Sequence, residues 1–307
     1  MNGRFHAKVC LILATLAPLM GCAAIAGREL SAVVAAVDGT ARTVPHPPGA
    51  RKLRVATYNI HHGAGVDNVL DPRRIAAVLR DVDIALLNEV DVNWARSGFA
   101  DQAYEIAAAA GFAHYAFGPS LAVPQAGRGT AYYGNAILSR YPILRAERHP
   151  LPTPPGREPR TALAVEVEID GTPLTLIATH LGLNRAERQA QTAALAELVR
   201  SIKTPLILAG DLNAHPDAPE VQRLTALLAD THALAFDGPG LTFPSPEPTA
   251  RIDYILLSQD LAPHLLAHHV PHSQASDHLP VIVEIAWDAF RAAKAIPPRL
   301  ESGDVVR

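Results

Sequence analysis

Acidic, amide and imidazole side chains recur in this sequence directly at the ends of short apolar runs. Glu89 follows the run Ile84–Leu87, and Asp211 follows the run Leu206–Ala209. Carboxylate and amide oxygens are the ligands that Mg²⁺ and Mn²⁺ prefer, and imidazole groups transfer protons or donate to a phosphoryl oxygen. The residues placed in this way are Asn59, Glu89, His180, Asp211, Asn213, Asp253, Asp277 and His278.

Taken together, these residues are typical of metal-assisted attack of water on a phosphate ester. Glu89 and Asp277 are candidate ligands of a hydrated Mg²⁺ or Mn²⁺ ion, and Asn59 offers a neutral oxygen or a donor. An acid such as Asp253 is suited to fix the tautomer of a histidine. The same residues also suit metal-assisted hydrolysis of other esters, and each residue alone is more often structural, because Asp and Asn routinely end strands.

Two further residues are candidates for contact with a substrate. Arg160 precedes the apolar run Ala162–Ile169, and arginine is the preferred bidentate partner of a phosphate group. Asn135 follows a glycine ahead of the run Ala136–Leu138. The segment 118–129, rich in proline and glycine, is expected to be a loop at the cleft or at a lipid surface.

Short apolar runs alternate with amphipathic segments along the chain. The runs predict strands near residues 53–60, 84–87, 136–138, 162–169, 174–178, 206–209, 252–257 and 281–285. Helices are predicted after Asp71, over 102–110, after Asn184 and over 218–228. Because Asp170 and Gly171 join two of the runs as a hairpin turn would, we expect a mixed rather than a parallel sheet.

The N-terminal segment is typical of an export signal. Residues 1–8 carry two positive charges, and residues 9–20 follow as an uncharged, mostly apolar run that is short for a bilayer span. Leu19–Cys22 resembles a lipoprotein box, so we expect cleavage before Cys22 and a membrane anchor on that cysteine. The alternative is ordinary cleavage after Ala26, which predicts a periplasmic or secreted protein.

The remaining boundaries follow from composition. Residues 1–21 are predicted to be the signal peptide and 22–50 a linker, because prolines and a glycine collect near its end. Residues 51–287 are predicted to form the catalytic domain. Residues 288–307 carry scattered charge with two prolines and are expected to be a solvated tail.

The composition excludes several classes of protein. With 307 residues, of which 49% are hydrophobic, the chain has too much apolar material for a disordered protein. Removal of residues 1–21 deletes two cations and no acid and changes the net charge from −3 to −5, which excludes a basic nucleic-acid coat protein. Both cysteines, Cys10 and Cys22, precede the predicted domain, which excludes cysteine-ligated zinc or a thiol nucleophile there.

Seven short motifs occur in order along the predicted domain. They are Thr57–His61 (TYNIH), Leu87–Val90 (LNEV), Gly134–Arg140 (GNAILSR), Ala178–Leu181 (ATHL), Gly210–Asn213 (GDLN), Arg251–Ile255 (RIDYI) and Ser276–Pro280 (SDHLP). In this order the motifs resemble those of the endonuclease/exonuclease/phosphatase family, over roughly residues 52–286. The resemblance implies an α/β fold, a four-layer sandwich of two mixed β-sheets packed face to face with flanking helices.

The resemblance also implies a metal site. It makes Glu89 the principal ligand of Mg²⁺ (or Mn²⁺), with Asn59 and Asp277 close to the metal or to its waters. Asn88 departs from the family pattern, in which glutamine often precedes the glutamate. We expect this difference to adjust the groups around the ligands rather than to abolish metal binding.

The other motif residues acquire catalytic roles from the same resemblance. His278 becomes the catalytic histidine, held by Asp253. Asp211 and Asn213 match the pair that positions the attacking water and the phosphate, and His180 matches a position that contacts a non-bridging oxygen. Whether Asp211 or His278 is the general base stays open.

Three functions stay open at this level. The segment from Thr242 to Arg251 resembles bacterial and membrane-associated branches of the family, which favours a metal-dependent phosphoesterase acting on the phosphodiester of a lipid headgroup or a small organic phosphate. One alternative is an exported Mg²⁺-dependent nuclease acting on DNA or RNA. The other is a catalytically silent lipoprotein that binds ligands at the cell surface. A monomer is expected in each case.

Overall fold

The computed structural model describes residues 30–37, 51–235 and 238–295. The strands are β1 (Val33–Ala36), β2 (Lys52–Asn59), β3 (Ile84–Val92), β4 (His114–Gln125), β5 (Gly129–Ser139), β6 (Ile143–Pro150), β7 (Thr161–Ile169), β8 (Thr172–His180), β9 (Leu206–Asp211), β10 (Ala229–Asp230), β11 (Asp253–Leu257), β12 (Leu265–His269) and β13 (Val281–Ala286). The helices are α1 (Pro72–Val78), α2 (Gln102–Ala110), α3 (Arg185–Ser201), α4 (Pro219–Thr225), α5 (Thr231–Ala235) and α6 (Trp287–Ala295). Within the described residues, no helix is both long and apolar enough to span a membrane.

The strands form two mixed sheets, as predicted. One sheet has seven strands in the order β1-β4-β5-β3-β2-β13-β12, and the other has six in the order β10-β11-β9-β8-β7-β6. Each sheet contains one parallel pair, β2 with β3 in the first and β8 with β9 in the second. The remaining neighbours are antiparallel, and β7 and β8 form the hairpin that Asp170 and Gly171 predict.

Three apolar clusters define four layers. The central cluster joins the two sheets, since it combines Leu53 and Ile84 of the first with Leu176 and Ile207 of the second. A second cluster packs α1 and α2 on the outer face of the first sheet, and a third packs α3 and α4 on the outer face of the second. Burial of such faces is the main favourable contribution to folding. The predicted four-layer sandwich is confirmed.

Local capping explains where two of the predicted helices begin. The side chain of Asp71 accepts a hydrogen bond from the backbone N of Arg73 at 3.0 Å, ahead of a proline at the first helical position. The side chain of Asn184 accepts from the backbone N of Ala186 at 2.8 Å and begins α3. Both side chains accept hydrogen bonds from backbone N–H groups that have no partner within the first turn of a helix.

The structure corrects the predicted linker and tail. Val33–Ala36, inside the predicted linker 22–50, forms an edge strand that pairs with β4, and residues 38–50 lie outside the described residues. Val33 is 54% exposed, so this strand does not alternate between buried apolar and exposed polar residues. That alternation is the pattern from which a strand is predicted. Residues 288–295 of the predicted tail belong to α6, whose Trp287 and Phe290 complete the central cluster.

Most of the segment 118–129 is strand rather than the expected loop, and residues 126–128 form a turn. β4 and β5 form a long hairpin in which Gln125 pairs with Gly129. The register shifts between Pro119 and Leu121, and such a bulge accommodates a proline that an unbroken ladder would exclude. Proline and glycine are typical of loops, so the composition of this segment led to a wrong prediction for two strands that border the site.

Buried His268 on β12 makes folding sensitive to acid. Its Nδ1 lies 3.0 Å from Thr231 Oγ1, and that hydroxyl donates to the carbonyl of Ile255 at 2.8 Å, so the imidazole donates from Nδ1. Burial, reinforced by the charges of His232 and Arg251, lowers the pKa of His268 to about 3. The unfolded chain therefore binds a proton more readily than the folded one between about pH 6.5 and pH 3.

We expect His268→Gln to flatten the dependence of the unfolding free energy on pH. In the wild-type protein, this histidine lowers the free energy of unfolding by up to about 1.4 kcal/mol for each pH unit below about pH 6.5. Urea unfolding at pH 7.5, 6.0 and 5.0 measures the slope. The exposed His272→Gln variant is the control and should retain the wild-type slope. An unchanged slope in His268→Gln would contradict this assignment.

Candidate active site

The predicted site residues converge because both parallel strand pairs end at one edge of the sandwich. Asn59 and Asn88 pair in register where β2 and β3 run side by side. His180 and Asp211 pair in register at the last residues of β8 and β9. Asp253 begins the antiparallel strand β11 opposite Asp211. Side chains of both sheets therefore meet at one place.

Two local backbone features direct the carboxylates of Glu89 and Asp211 into the site. The register of β3 with β5 shifts between Leu87 and Val90, and Glu89 in this bulge has a φ of 61°. Bulges redirect side chains next to active sites. Before Asp211, Gly210 has a φ of 145°, and a Cβ there would collide with the carbonyl oxygen of Thr179. Only glycine permits this approach of β8 and β9.

The side-chain amide of Asn59 connects the carboxylates of Glu89 and Asp211 by hydrogen bonds. Its Nδ2 lies 3.1 Å from Glu89 Oε1 and 3.1 Å from Asp211 Oδ2, so it donates to both. Its Oδ1 accepts from the backbone N of His61 at 3.1 Å. The side chain is buried, with 1% exposure, so these bonds are not open to exchange with water. Asn59 therefore sets the spacing of two acids from different sheets.

His278 lies between two buried acids. Its Nδ1 donates to Asp253 Oδ2 at 2.9 Å, and its Nε2 lies 3.7 Å from Asp211 Oδ2. Burial alone would lower its pKa, but the charges of both acids and the hydrogen bond to Asp253 raise the pKa of His278 to about 10. Burial and the charge of Asp253 raise the pKa of Asp211 to about 7. The imidazole is thus cationic at neutral pH, and Asp211 is able to exchange a proton there.

The tautomer of His180 follows from its arginine partner. Arg160 Nη1 lies 3.0 Å from His180 Nδ1, and because a guanidinium only donates, Nδ1 accepts and the proton resides on Nε2. Burial, with the charges of Arg160 and His278, lowers the pKa of His180 well below its ordinary value. Nε2 lies 3.5 Å from Asp211 Oδ2. Neutral His180 is therefore a donor beside Asp211.

Asn213 and Asp277 both line this cavity. The backbone N of Asn213 donates to Asp211 Oδ1 at 2.8 Å, and its side-chain Nδ2 donates to the carbonyl of Leu181 at 2.9 Å. The Asp277 carboxylate is partly exposed and has Oδ1 3.8 Å from His61 Nδ1. The side chain of Asn213 is thus held by the motif that contains His180.

Asn88 and Asn135 join the two sheets behind the cavity. Asn88 Nδ2 donates to Asn135 Oδ1 at 2.8 Å, and Asn88 Oδ1 accepts from the backbone N of Asp211 at 3.0 Å. Asn135 Nδ2 donates to the carbonyl of Thr161 at 3.0 Å. Both amide atoms of Asn135 are engaged and the residue does not line the cavity, so the structure gives it a positioning role and corrects its prediction as a substrate contact.

The acids suit a hard divalent cation. Burial and the charge of Asp277 raise the pKa of Glu89, so the ionised carboxylate is unfavourable there without a positive partner. Oxygen atoms of Glu89, Asp277 and Asn59 are the donor type that Mg²⁺ and Mn²⁺ take. Ligand atoms of Asp211, Asp253 and His278 also lie within 4.8 Å of one another. In that second group His278 Nδ1 already donates to Asp253 Oδ2 at 2.9 Å, so this nitrogen is not open to a metal ion.

The cavity has a volume of about 500 Å³. Of the predicted residues it is lined by Glu89, Arg160, His180, Asp211, Asn213, Asp277 and His278, and buried Asn59 and Asp253 hold these from behind. The lining also includes residues for which the motifs predict no role, namely His61, His62, Trp94, Arg96, Leu121, Tyr133, Glu158, Leu183, Phe243 and Ile252. Arg96 forms a bidentate pair with buried Asp91, with both distances 2.8 Å, and its guanidinium lies over the rings of Trp94 and Tyr133. Of these residues, His61 and Ile252 lie inside one of the seven motifs.

Comparison with known proteins agrees with this geometry. A sequence profile of the Endonuclease/Exonuclease/phosphatase family matches residues 56–278. The chain belongs to this family. Its members are hydrolases that generally depend on divalent metal ions and act on phosphate esters.

Several relatives show how far the similarity extends. The Escherichia coli (strain K12) protein YbhP, described as uncharacterized, is 31% identical over 253 residues, which cover 76% of this chain and 96% of YbhP. A crystal structure of an endonuclease/exonuclease/phosphatase from Beutenbergia cavernae superposes with a TM-score of 0.64 at 30% identity over 77% of this chain and 72% of that one. A mannosyl-6-phosphatase of Bacteroides thetaiotaomicron shares the fold, with a TM-score of 0.59 at 20% identity over 76% and 99% of the two chains.

Proposed function

We propose that this protein is a metal-dependent phosphodiesterase that hydrolyses the headgroup ester of a lipid or a similar small organic phosphodiester. The observation that carries the proposal is the cavity itself. A catalytic group, His278, and a phosphate partner, Arg160, lie in a cavity of about 500 Å³ whose lining includes apolar side chains. This volume is in the range of small-ligand sites.

The cavity lining supports a substrate with an apolar portion. Leu183 is 77% exposed, and Leu121, Phe243 and Ile252 also line the cavity. These four side chains line one cavity, and together they would offer an apolar surface to a ligand or to a lipid. The net charge of −3 provides no general attraction for a nucleic acid.

The phosphoryl group would contact three residues at the base of the cavity. Arg160 is 7% exposed and is held by Glu158 at 2.8 Å. It would therefore lose little side-chain entropy when it donates to phosphate oxygens. His180 adds its Nε2 proton, and the cation of His278 adds a second charged donor. Such preorganised donors stabilise the charge that develops on phosphoryl oxygens, at roughly 3–4 kcal/mol for one well-placed donor.

Asp211 is the better candidate for the general base. With a pKa raised to about 7, its carboxylate accepts a proton from water near neutral pH, whereas His278 is already protonated there. Asn59 and the backbone N of Asn213 hold the two oxygens of Asp211 in place. His278 then stabilises charge or protonates the leaving oxygen, and Asp253 keeps the ring oriented.

Glu89 and Asp277 would hold the divalent ion, with Asn59 alongside. When bound, the ion supplies positive charge that stabilises the phosphoryl oxygens and the leaving group. The chain supplies the orientation of its ligands, since the bulge directs Glu89 and the hydrogen bond from Asn59 fixes one of its oxygens. Export, a lipid anchor at Cys22 and a monomeric state remain part of the proposal; Cys22 lies outside the described residues.

Hydrolysis of vesicles tests this function. We expect the full chain with Mn²⁺ or Mg²⁺ to release headgroups from sphingomyelin or phosphatidylcholine vesicles and not to nick plasmid DNA. Leu183→Ser should lower vesicle turnover by about tenfold, in line with the loss of one buried leucine contact, and affect a soluble diester such as bis-p-nitrophenyl phosphate less. Leu144→Ser is the matched control, since Leu144 on β6 is 54% exposed and lies outside the cavity lining.

Other outcomes would lead to a different substrate. Metal-dependent nicking that Glu89→Gln abolishes, without headgroup release, would make the protein a nuclease. Hydrolysis of soluble phosphate esters alone would favour a small organic phosphate, the substrate class that the name of the Bacteroides relative indicates for that protein. Equal loss of activity in the two leucine variants would contradict a lipid contact at Leu183.

A further inference from the structure

An imidazole nitrogen without a hydrogen-bond partner lies beside the proposed metal ligands. His61 Nδ1 is buried and makes no hydrogen bond, and it lies 3.8 Å from Asp277 Oδ1. A buried polar atom without a partner costs about 1–3 kcal/mol, so this orientation calls for a ligand or another compensation.

The backbone holds His61 in this place at some cost. His61 and His62 both have a φ of 45°, and Gly63 continues the turn with a φ of 80°. For residues with a Cβ this region is sparsely populated and costs on the order of 1–3 kcal/mol each. The turn is secured at both residues, because His61 N donates to Asn59 Oδ1 at 3.1 Å and Gln102 Nε2 donates to the carbonyl of His62 at 2.6 Å.

One amide connects this turn to the metal-binding acid. Asn59 accepts from the backbone of His61 through Oδ1 and donates to Glu89 Oε1 through Nδ2. The position of His61 is therefore coupled to that of Glu89 through a single buried side chain. An arrangement of this kind orients ligands around a metal ion.

We propose that His61 is a nitrogen ligand, through Nδ1, of the divalent ion held by Glu89 and Asp277. This inference rests on the metal site of the proposed function and adds a residue and a metal preference to it. Imidazole nitrogen is a ligand of first-row transition metals, a series in which Mn²⁺ is the weakest binder, whereas Mg²⁺ takes oxygen ligands almost exclusively. The mixed site therefore prefers Mn²⁺ to Mg²⁺, while an all-oxygen site would not gain this preference.

Pulsed electron paramagnetic resonance of bound Mn²⁺ tests the proposal without any substrate. The full-length protein, freed of metal and loaded with one equivalent of Mn²⁺, should show the coupling of a directly bound ¹⁴N nucleus. His61→Asn should lose that coupling, because asparagine tolerates the left-handed backbone but carries no imidazole. His62→Asn is the matched control, with the same φ in the same turn, and should keep it.

The affinities for Mn²⁺ and Mg²⁺ give a second readout, and their ratio would not change if His61 had a purely structural role. His61→Asn should raise the Kd for Mn²⁺ by about 10- to 100-fold and the Kd for Mg²⁺ much less, so that the preference for Mn²⁺ falls. His62→Asn should leave the ratio of the two constants unchanged. A circular dichroism spectrum equal to that of the wild-type protein verifies that the variants fold.

The outcomes separate this inference from the proposed function. Mn²⁺ binding that Glu89→Gln weakens, without ¹⁴N coupling in the wild-type protein, would overturn the role of His61 and leave the proposed metal site intact. The same holds if His61→Asn retains the coupling, since the nitrogen would then come from another histidine. Absence of Mn²⁺ binding altogether would overturn both.

Discussion

Replacement of His278 by glutamine is expected to lower kcat on the hydrolysed phosphodiester by about 10²- to 10⁴-fold. The imidazolium lies between Asp253 and Asp211, and glutamine retains a donor toward Asp253 but carries no charge and no transferable proton. KM should change less than kcat, because the lost interaction is strongest in the transition state. Steady-state kinetics at saturating metal measures both constants.

Two comparisons make this result interpretable. His272→Gln, at an exposed position six residues earlier, should retain wild-type kcat. Since loss of the cation leaves Asp253 buried beside Asp211, urea unfolding of His278→Gln must verify that the protein is folded under assay conditions. A folded His278→Gln enzyme with near wild-type kcat would show that this histidine takes no part in the reaction.

Replacement of Glu89 by glutamine is expected to abolish most metal binding and to lower turnover at limiting metal by about 10³-fold, in keeping with the several kcal/mol that a catalytic ion contributes. The side chain remains nearly the same size, so the hydrogen-bonded surroundings are preserved while the charge is removed. Calorimetric titration with Mn²⁺ measures affinity, and turnover over a range of metal concentrations measures the functional consequence.

Partial recovery at high metal concentration is expected of Glu89→Gln, because Asp277 and Asn59 remain in place. Glu168→Gln, at an exposed position on β7, is the charge-matched control and should bind metal like the wild-type protein. Unchanged metal affinity in Glu89→Gln would place the ion elsewhere, for instance among Asp211, Asp253 and His278, whose ligand atoms lie within 4.8 Å of one another.

The site residues are predicted largely from one simple rule, whereas the four-layer fold is predicted from the resemblance of the seven motifs to a known family. Asn59, Glu89, His180 and Asp211 end or follow apolar runs, and the two parallel strand pairs bring those ends together. Period and length of the apolar runs are local properties that a sequence displays directly. Asn59 and Asp253 do not line the cavity but contact Glu89 and His278, which do. Asn135 also lies outside the lining and contacts Asn88 and Thr161 behind it.

Other features depend on tertiary contacts that no local pattern shows. The edge strand β1 is stabilised by its pairing with β4, and α6 by burial of Trp287 and Phe290. His61 belongs to a recognised motif, yet its relevance depends on three successive left-handed residues and on the distance to Asp277. Arg96 is brought to the cavity by its pair with Asp91 rather than by any motif.

Metal-dependent hydrolysis of a diester tests the central claim most directly. The purified full chain would be assayed on bis-p-nitrophenyl phosphate as isolated, after EDTA treatment, and after addition of excess Mn²⁺ or Mg²⁺. We predict that EDTA abolishes turnover, that Mn²⁺ restores it, and that neither ion restores it in His278→Gln. Turnover that persists in EDTA, or that His278→Gln retains, would contradict a metal-dependent phosphoesterase centred on Glu89 and His278.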